Sequence, residues 1–168
     1  MSSSDKNLSV YKSEFGPLPD DALVAIVVSE WNTEITGAML DAAVATLKEH
    51  GVNDDGIIIR YVPGSFELPL GAKFLLDNAE PDAVICIGCV IQGETRHFDF
   101  ICDSVAQGIM TLSLEYNTPV VFGVLTPNNM EQAIDRAGGK HGNKGVEAAA
   151  TALKMIALQF ELEGEEED

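Results

Sequence analysis

The residue of this chain best placed to do chemistry is a histidine at the joint between an apolar run and an amphipathic segment. Residues 93–100 read GETRHFDF and follow the uninterrupted apolar run 83–91. That order puts His97 where a buried strand hands over to a helix, at the carboxyl end of a sheet, where side chains face a crevice. Imidazole exchanges protons near neutral pH, so His97 is the candidate general acid/base. The competing reading is a polar cap on the helix.

Other chemistry-bearing residues fall at equivalent joints. Trp31 and Asn32 follow the first apolar run directly, so an aromatic ring emerges at a strand end with a polar neighbour. Ser65, Phe66 and Glu67 follow Pro63-Gly64, where a second strand turns into a helix and backbone N–H groups are free. Three of the ten Lys and Arg residues, Arg136, Lys140 and Lys144, lie within nine positions beside a glycine cluster. They mark either an anion site or a helix end whose cations complement the dipole.

Some apparent motifs do not survive geometry. Cys86 and Cys89 have redox-pair spacing, but inside a strand residues three apart face opposite ways, so both read as core thiols. Residues 138–145, GGKHGNKG, join two helices rather than a strand to a helix and form no Walker phosphate loop. The histidines at 50, 97 and 141 show no ligand spacing, and no metal site is expected. His50 reads as a helix-end residue and His141 as a loop residue.

The elements that must position these residues alternate along the chain. Residues 22–29, 57–62, 83–91 and 120–125 read as strands buried on both faces. Helical patterns cover 34–50, 66–78, 97–116, 130–137 and 144–160, with Gly51 as a stop and Pro69 tolerable in a first turn. Right-handed crossovers then give a four-stranded parallel sheet with helices on both faces, a three-layer α/β/α, flavodoxin-like arrangement. Within 97–116, Phe100, Ala106, Met110 and Leu114 lie largely off the first apolar stripe, so a second subunit or a long loop must cover them.

Composition sets the boundaries. With 168 residues, 46% apolar, the chain suits one domain over 22–160, preceded by a flexible N-terminal arm, 1–21, with at most a short edge strand around 8–11. Six acids crowd residues 161–168, which read as a solvated, disordered tail. A formal charge of −17 repels phosphate backbones and anionic lipid, so neither nucleic acid nor membrane is an expected partner. No signal-peptide pattern opens the sequence and the cysteines are three, which predicts a cytoplasmic protein with reduced thiols.

The segments WNTEIT (31–36), VPGSFELP (62–69), GETRHFD (93–99), VFGVLT (121–126) and DRAGGKHGNKG (135–145), in that order and spacing, resemble the 6,7-dimethyl-8-ribityllumazine synthase family over about 22–158. The resemblance implies the penultimate step of riboflavin biosynthesis. There 5-amino-6-(D-ribitylamino)uracil condenses with 3,4-dihydroxy-2-butanone 4-phosphate, releasing phosphate and water without a cofactor. It further implies that Trp31 stacks on the pyrimidine beside Asn32, that Ser65, Phe66 and Glu67 bind the ribityl chain, and that Cys89, Val90 and Ile91 meet the pyrimidine through backbone. Glu94 and Thr95 would hold the butanone phosphate with Arg136, the Glu94 side chain turned away from it, and His97 would be catalytic. Arg136 and Lys144, the latter near the pyrimidine, would come from one subunit, and Phe122 from its neighbour.

Family members form pentamers, some closing into icosahedral 60-subunit shells, and riboflavin synthase is the implied partner enzyme. The short linker 138–144 is similar to that of shell-forming members. Two other functions stay open on sequence: an archaeal-type riboflavin synthase on the same fold, and a noncatalytic flavin-binding or shell protein.

Overall fold

The computed structural model describes Asn7, Ser9, Val10 and residues 15–165. The strands are β1 (Val24–Ser29), β2 (Ile57–Val62), β3 (Ala83–Cys89) and β4 (Val120–Leu125). They form one parallel sheet in the order β2-β1-β3-β4. The order reverses between β1 and β3, which opens a crevice beyond their carboxyl ends.

Five helices cover the sheet: α1 (Thr33–Glu49), α2 (Leu68–Ala79), α3 (His97–Tyr116), α4 (Met130–Arg136) and α5 (Lys144–Glu165). One apolar layer joins α1 and α5 through Ile35, Met39, Ala149 and Leu153 to Ile26 and Ile85. The opposite layer joins α2 and α3 through Leu68, Ala72, Val105 and Ile109 to Val27 and Val84. Cys89 belongs to the first layer and Cys86 to the second, as residues three apart on a strand must. The outer ends of α2 and α3 are also tied together. Lys73 pairs with Asp77 at 2.9 Å, and the Tyr116 hydroxyl bonds both, accepting from Lys73 and donating to Asp77.

Several features differ from expectation, among them β1, which starts at Val24, and β3, which ends at Cys89. β2, at one edge of the sheet, is half-exposed, not buried on both faces, whereas β4 at the other edge stays buried beside α5, a difference in cover that an apolar run does not reveal. α2 starts two residues late, after a 3-10 turn at Ser65–Glu67, so that Pro69 falls where no N–H is needed. A small hairpin, β5 (Ala137–Gly139) with β6 (Gly142–Asn143), replaces the expected irregular linker. Of the tail expected over 161–168, residues 161–165 continue α5, where Gln159 donates to Glu163 at 3.1 Å and the good helix formers Glu and Leu prolong the run, and 166–168 lie outside the described residues. Of the edge strand expected at 8–11, Leu8 and Tyr11 lie outside the described residues, and Ser9 and Val10 are not in a strand.

The second stripe of α3 is uncovered. Phe100, Met110 and Leu114 are exposed, Leu114 by 76%, and no described loop crosses them. With β4 and α5 this face forms an apolar groove of about 980 Å³, into which Met155, Leu158 and Leu162 also project. At the other edge of the sheet, Tyr61 on β2 and Phe66, Leu70 and Phe74 at helical spacing are exposed as well. Two different apolar faces at opposite edges suit a head-to-tail contact that can close into a ring.

Candidate active site

The crevice between β1 and β3 is built first by backbone. Asn32 adopts a left-handed conformation (φ 58°, ψ 47°) that asparagine tolerates, and begins α1 by accepting from the Ile35 and Thr36 N–H groups at 2.9 and 3.0 Å. Its side-chain amide donates to the Cys89 carbonyl at 2.9 Å. Asn32 therefore staples the ends of β1 and β3, and that same turn throws the Trp31 ring outward, 72% exposed.

Gly64 sits between two site side chains. A Cβ there would lie 3.2 Å from Glu67 Oε2 and 3.5 Å from Trp31 Cδ1, so the indole and the carboxylate flank one point of backbone. Phe66 is exposed beside them, whereas Ser65 is buried with its hydroxyl unbonded against Gly88. That leaves the main chain of Ser65 as the part able to meet a ligand. Cys89 is buried, and Val90 and Ile91 are half-buried at the same strand end, where the Val90 N–H donates to the Leu125 carbonyl at 2.8 Å.

The loop from β3 to α3 carries the expected phosphate and proton-transfer groups. The Thr95 hydroxyl accepts from the His97 N–H at 3.4 Å, and His97 opens α3 with its side chain exposed. Glu94 is exposed and in no ion pair among the described residues. Arg96 turns to its own helix, 3.5 Å from Asp99 and over the Phe100 ring.

The cations form a separate cluster. Arg136, at the end of α4, donates from Nη1 to the His141 carbonyl at 2.7 Å and places Nη2 2.7 Å from Glu147 Oε1. Lys144 donates to Glu147 Oε2 at 3.4 Å. Lys140 lies 3.8 Å from Asp135 and outside this group. The glycines of 138–145 now have physical reasons: Gly138 (φ 114°) and Gly142 (φ 86°) turn the hairpin in left-handed backbone, and Gly145 lets α5 touch α1.

Lys144 and Phe122 line the same groove along β4, so one chain presents them together. The expected division, with Phe122 on one subunit and Lys144 on the other, does not match this placement. No hydrogen bond or ion pair among the described residues joins the His97 loop to the Arg136 cluster. Glu147 and the His141 carbonyl were missed in the sequence. Glu147 looks there like an ordinary first-turn acid, and a carbonyl has no residue signature.

Burial pushes the Cys86 thiol up to about 12 and Cys89 to about 11, and burial, then Asp103 and Asp99, raise Cys102. At neutral pH both core thiols are therefore held in the protonated, unreactive form. Thiol reagents should leave Cys86 and Cys89 unlabelled in the folded protein and label all three cysteines in guanidinium. Rapid native labelling of either would contradict the placement of these thiols in the core.

An open α/β/α sheet with an exposed indole and a carboxylate beside its switch point, and an exposed histidine opening the helix after β3, is a flavodoxin-like fold with a candidate ligand site. The sequence model of the 6,7-dimethyl-8-ribityllumazine synthases matches residues 21–159. A protein of that name from Cytophaga hutchinsonii is 59% identical over 157 residues, covering 94% of this chain and 98% of its own. Proteins of the same name from Porphyromonas gingivalis and Bacteroides fragilis are 52% and 56% identical, covering 95% and 82% of this chain and 99% and 96% of theirs. The chain belongs to the 6,7-dimethyl-8-ribityllumazine synthase family.

Proposed function

We propose that this protein condenses 5-amino-6-(D-ribitylamino)uracil with 3,4-dihydroxy-2-butanone 4-phosphate to 6,7-dimethyl-8-ribityllumazine, phosphate and water, as a cytoplasmic enzyme of riboflavin biosynthesis that needs no cofactor. The observation that carries the reading is the staple of Asn32 on Cys89, which turns Trp31 out at the switch-point crevice, with Glu67 flanking the same point of backbone at Gly64, in a chain of this family. Trp31 offers its π-face to the pyrimidine, and Phe66 and Glu67 with the backbone after Gly64 meet the ribityl chain. The backbone of Cys89, Val90 and Ile91 edges the ring.

In the reaction the uracil amine attacks the butanone carbonyl and water leaves as a Schiff base forms. Phosphate is then eliminated, the enol left behind tautomerises to a ketone, and the second nitrogen attacks that carbonyl and closes the ring as a second water leaves. His97 takes and returns the protons these steps move, beside Thr95, and Arg136 offers a planar fork to the leaving phosphate. Lys144 and Phe122 complete the pocket at the pyrimidine.

The single domain is 22–160, and the site is shared between adjacent subunits of a pentamer. Phe122 and Lys144 line the β4 groove while Trp31 and Phe66 are exposed by the β2 edge, so one chain offers the first set and its neighbour the second. Arg136 and Glu147 travel with Lys144. The pentamers close into a 60-subunit shell, which light scattering would read as about 1.1 MDa from chains of 18.0 kDa. A particle of about 90 kDa would show a free pentamer instead. Riboflavin synthase, which consumes the product, is the proposed partner enzyme.

Incubation with both substrates tests the chemistry. The expected result is a fluorescent lumazine with one phosphate released per turnover. Dismutation of added lumazine without phosphate release would point to a riboflavin synthase on this fold, and flavin binding without turnover to a carrier or shell protein.

A further inference from the structure

We propose that Glu147 is a positioning residue of the phosphate subsite whose charge limits how tightly phosphate is held. The inference rests on the synthase reading of the site. A single half-buried carboxylate touches both cations: Oε1 lies 2.7 Å from Arg136 Nη2, and Oε2 accepts from Lys144 at 3.4 Å. The first contact is an ion pair without hydrogen-bond geometry, so the charge, not a directed bond, dominates it. The opposite branch of the guanidinium is fixed by the His141 carbonyl at 2.7 Å.

The arrangement does two things at once. It sets Arg136, from the end of α4, and Lys144, from the start of α5, at a fixed separation across the β5–β6 hairpin. It also offsets the charge of Arg136 at the phosphate, with Lys144 on the pyrimidine side of the same carboxylate and Lys140 paired elsewhere with Asp135. An uncompensated Arg136, with Lys144 close by, would grip the phosphate dianion it must release after elimination. Glu147 keeps the cations in place while weakening that grip.

The test titrates inorganic phosphate into the assembled enzyme, by 31P NMR and as an inhibitor against the butanone phosphate. Glu147→Gln keeps the length and one acceptor oxygen, puts an amide donor in place of the other, and removes the charge. Phosphate should then bind about tenfold more tightly, the effect of one unit charge a few ångströms away in a half-buried site. Glu147→Asp, which keeps the charge, should stay within about threefold of the parent. Glu147→Ala removes the charge in a strong helix former, so a failure of the Gln variant to assemble leaves the measurement intact.

Unchanged or weaker phosphate binding in the folded neutral variants would overturn the inference, since a purely structural carboxylate loosens the site when removed. Equal tightening by Asp and Gln would overturn it too. Failure of the parent enzyme to make lumazine would instead defeat the synthase reading itself.

Discussion

Arg136→Ala raises the Michaelis constant for the phosphorylated butanone about a hundredfold, the loss of a charge-assisted bidentate contact of about 3 kcal/mol. The constant for the uracil substrate changes much less. The guanidinium is held by Glu147 and the His141 carbonyl, so it is pre-aligned and little ordering is left to occur on binding. Its removal also strips Glu147 of its nearer cation and leaves a carboxylate facing the incoming phosphate.

His97→Ala behaves differently. Proton transfer by a placed imidazole contributes about 10² to 10⁴ in rate, whereas holding two reactants in register contributes roughly 7 to 11 kcal/mol. The His97 variant should therefore be slow but active, with its loss in turnover. Steady-state kinetics with each substrate varied separates the two cases. An equal loss of turnover alone in both variants would reject this division of labour.

The second large effect is on stability. In Gly145→Ala the new methyl would collide with the Met39 carbonyl oxygen and stand 2.7 Å from its carbon, and Met39 is a fully buried residue of α1. Neither helix can retreat without opening the layer that joins Met39, Ala149 and Leu153 to the sheet. A cost of about 3 kcal/mol or more is expected, which lowers the melting temperature by roughly 6 to 12 °C. Gly37→Ala is the control: nothing lies within 4 Å of its Cβ position inside α1, so the change should be neutral or stabilising by up to about 1 kcal/mol. Equal melting temperatures for the Gly145 variant and the parent would mean that the two helices are not locked at this crossing.

Most of the sheet is legible in the sequence because its strands are continuous apolar runs and its helices carry a clear period. Val24 to Val28 and Ala83 to Ile87 are buried almost completely, and such runs have no competing reading at their length. What a run cannot show is how its strand is covered, and so β2 looks as buried as β1. The β5–β6 hairpin escapes because Ala137, Gly139, Gly142 and Asn143 carry no alternation of apolar and polar faces.

Within the site, Trp31, Glu67, Thr95 and His97 are legible by their position after strands, a local property. Glu147 is not, because its meaning comes from Arg136 eleven residues earlier, across a hairpin with no signature. The pairing of Phe122 with Lys144 in one groove likewise arises from packing between β4 and α5.

At the other end of the chain, the Ser9 hydroxyl donates to the Asn143 carbonyl at 3.1 Å and accepts from the Asn143 N–H at 2.6 Å. Asn143 in turn bonds Ala38 of α1 and the Gly145 N–H, next to Lys144. Whatever is fused ahead of Ser9, an affinity tag for instance, is thus tethered a few bonds from Lys144 and the cation cluster it shares with Arg136. Attachment after α5 leaves that bracket untouched, which makes the carboxyl terminus the safer handle for engineering.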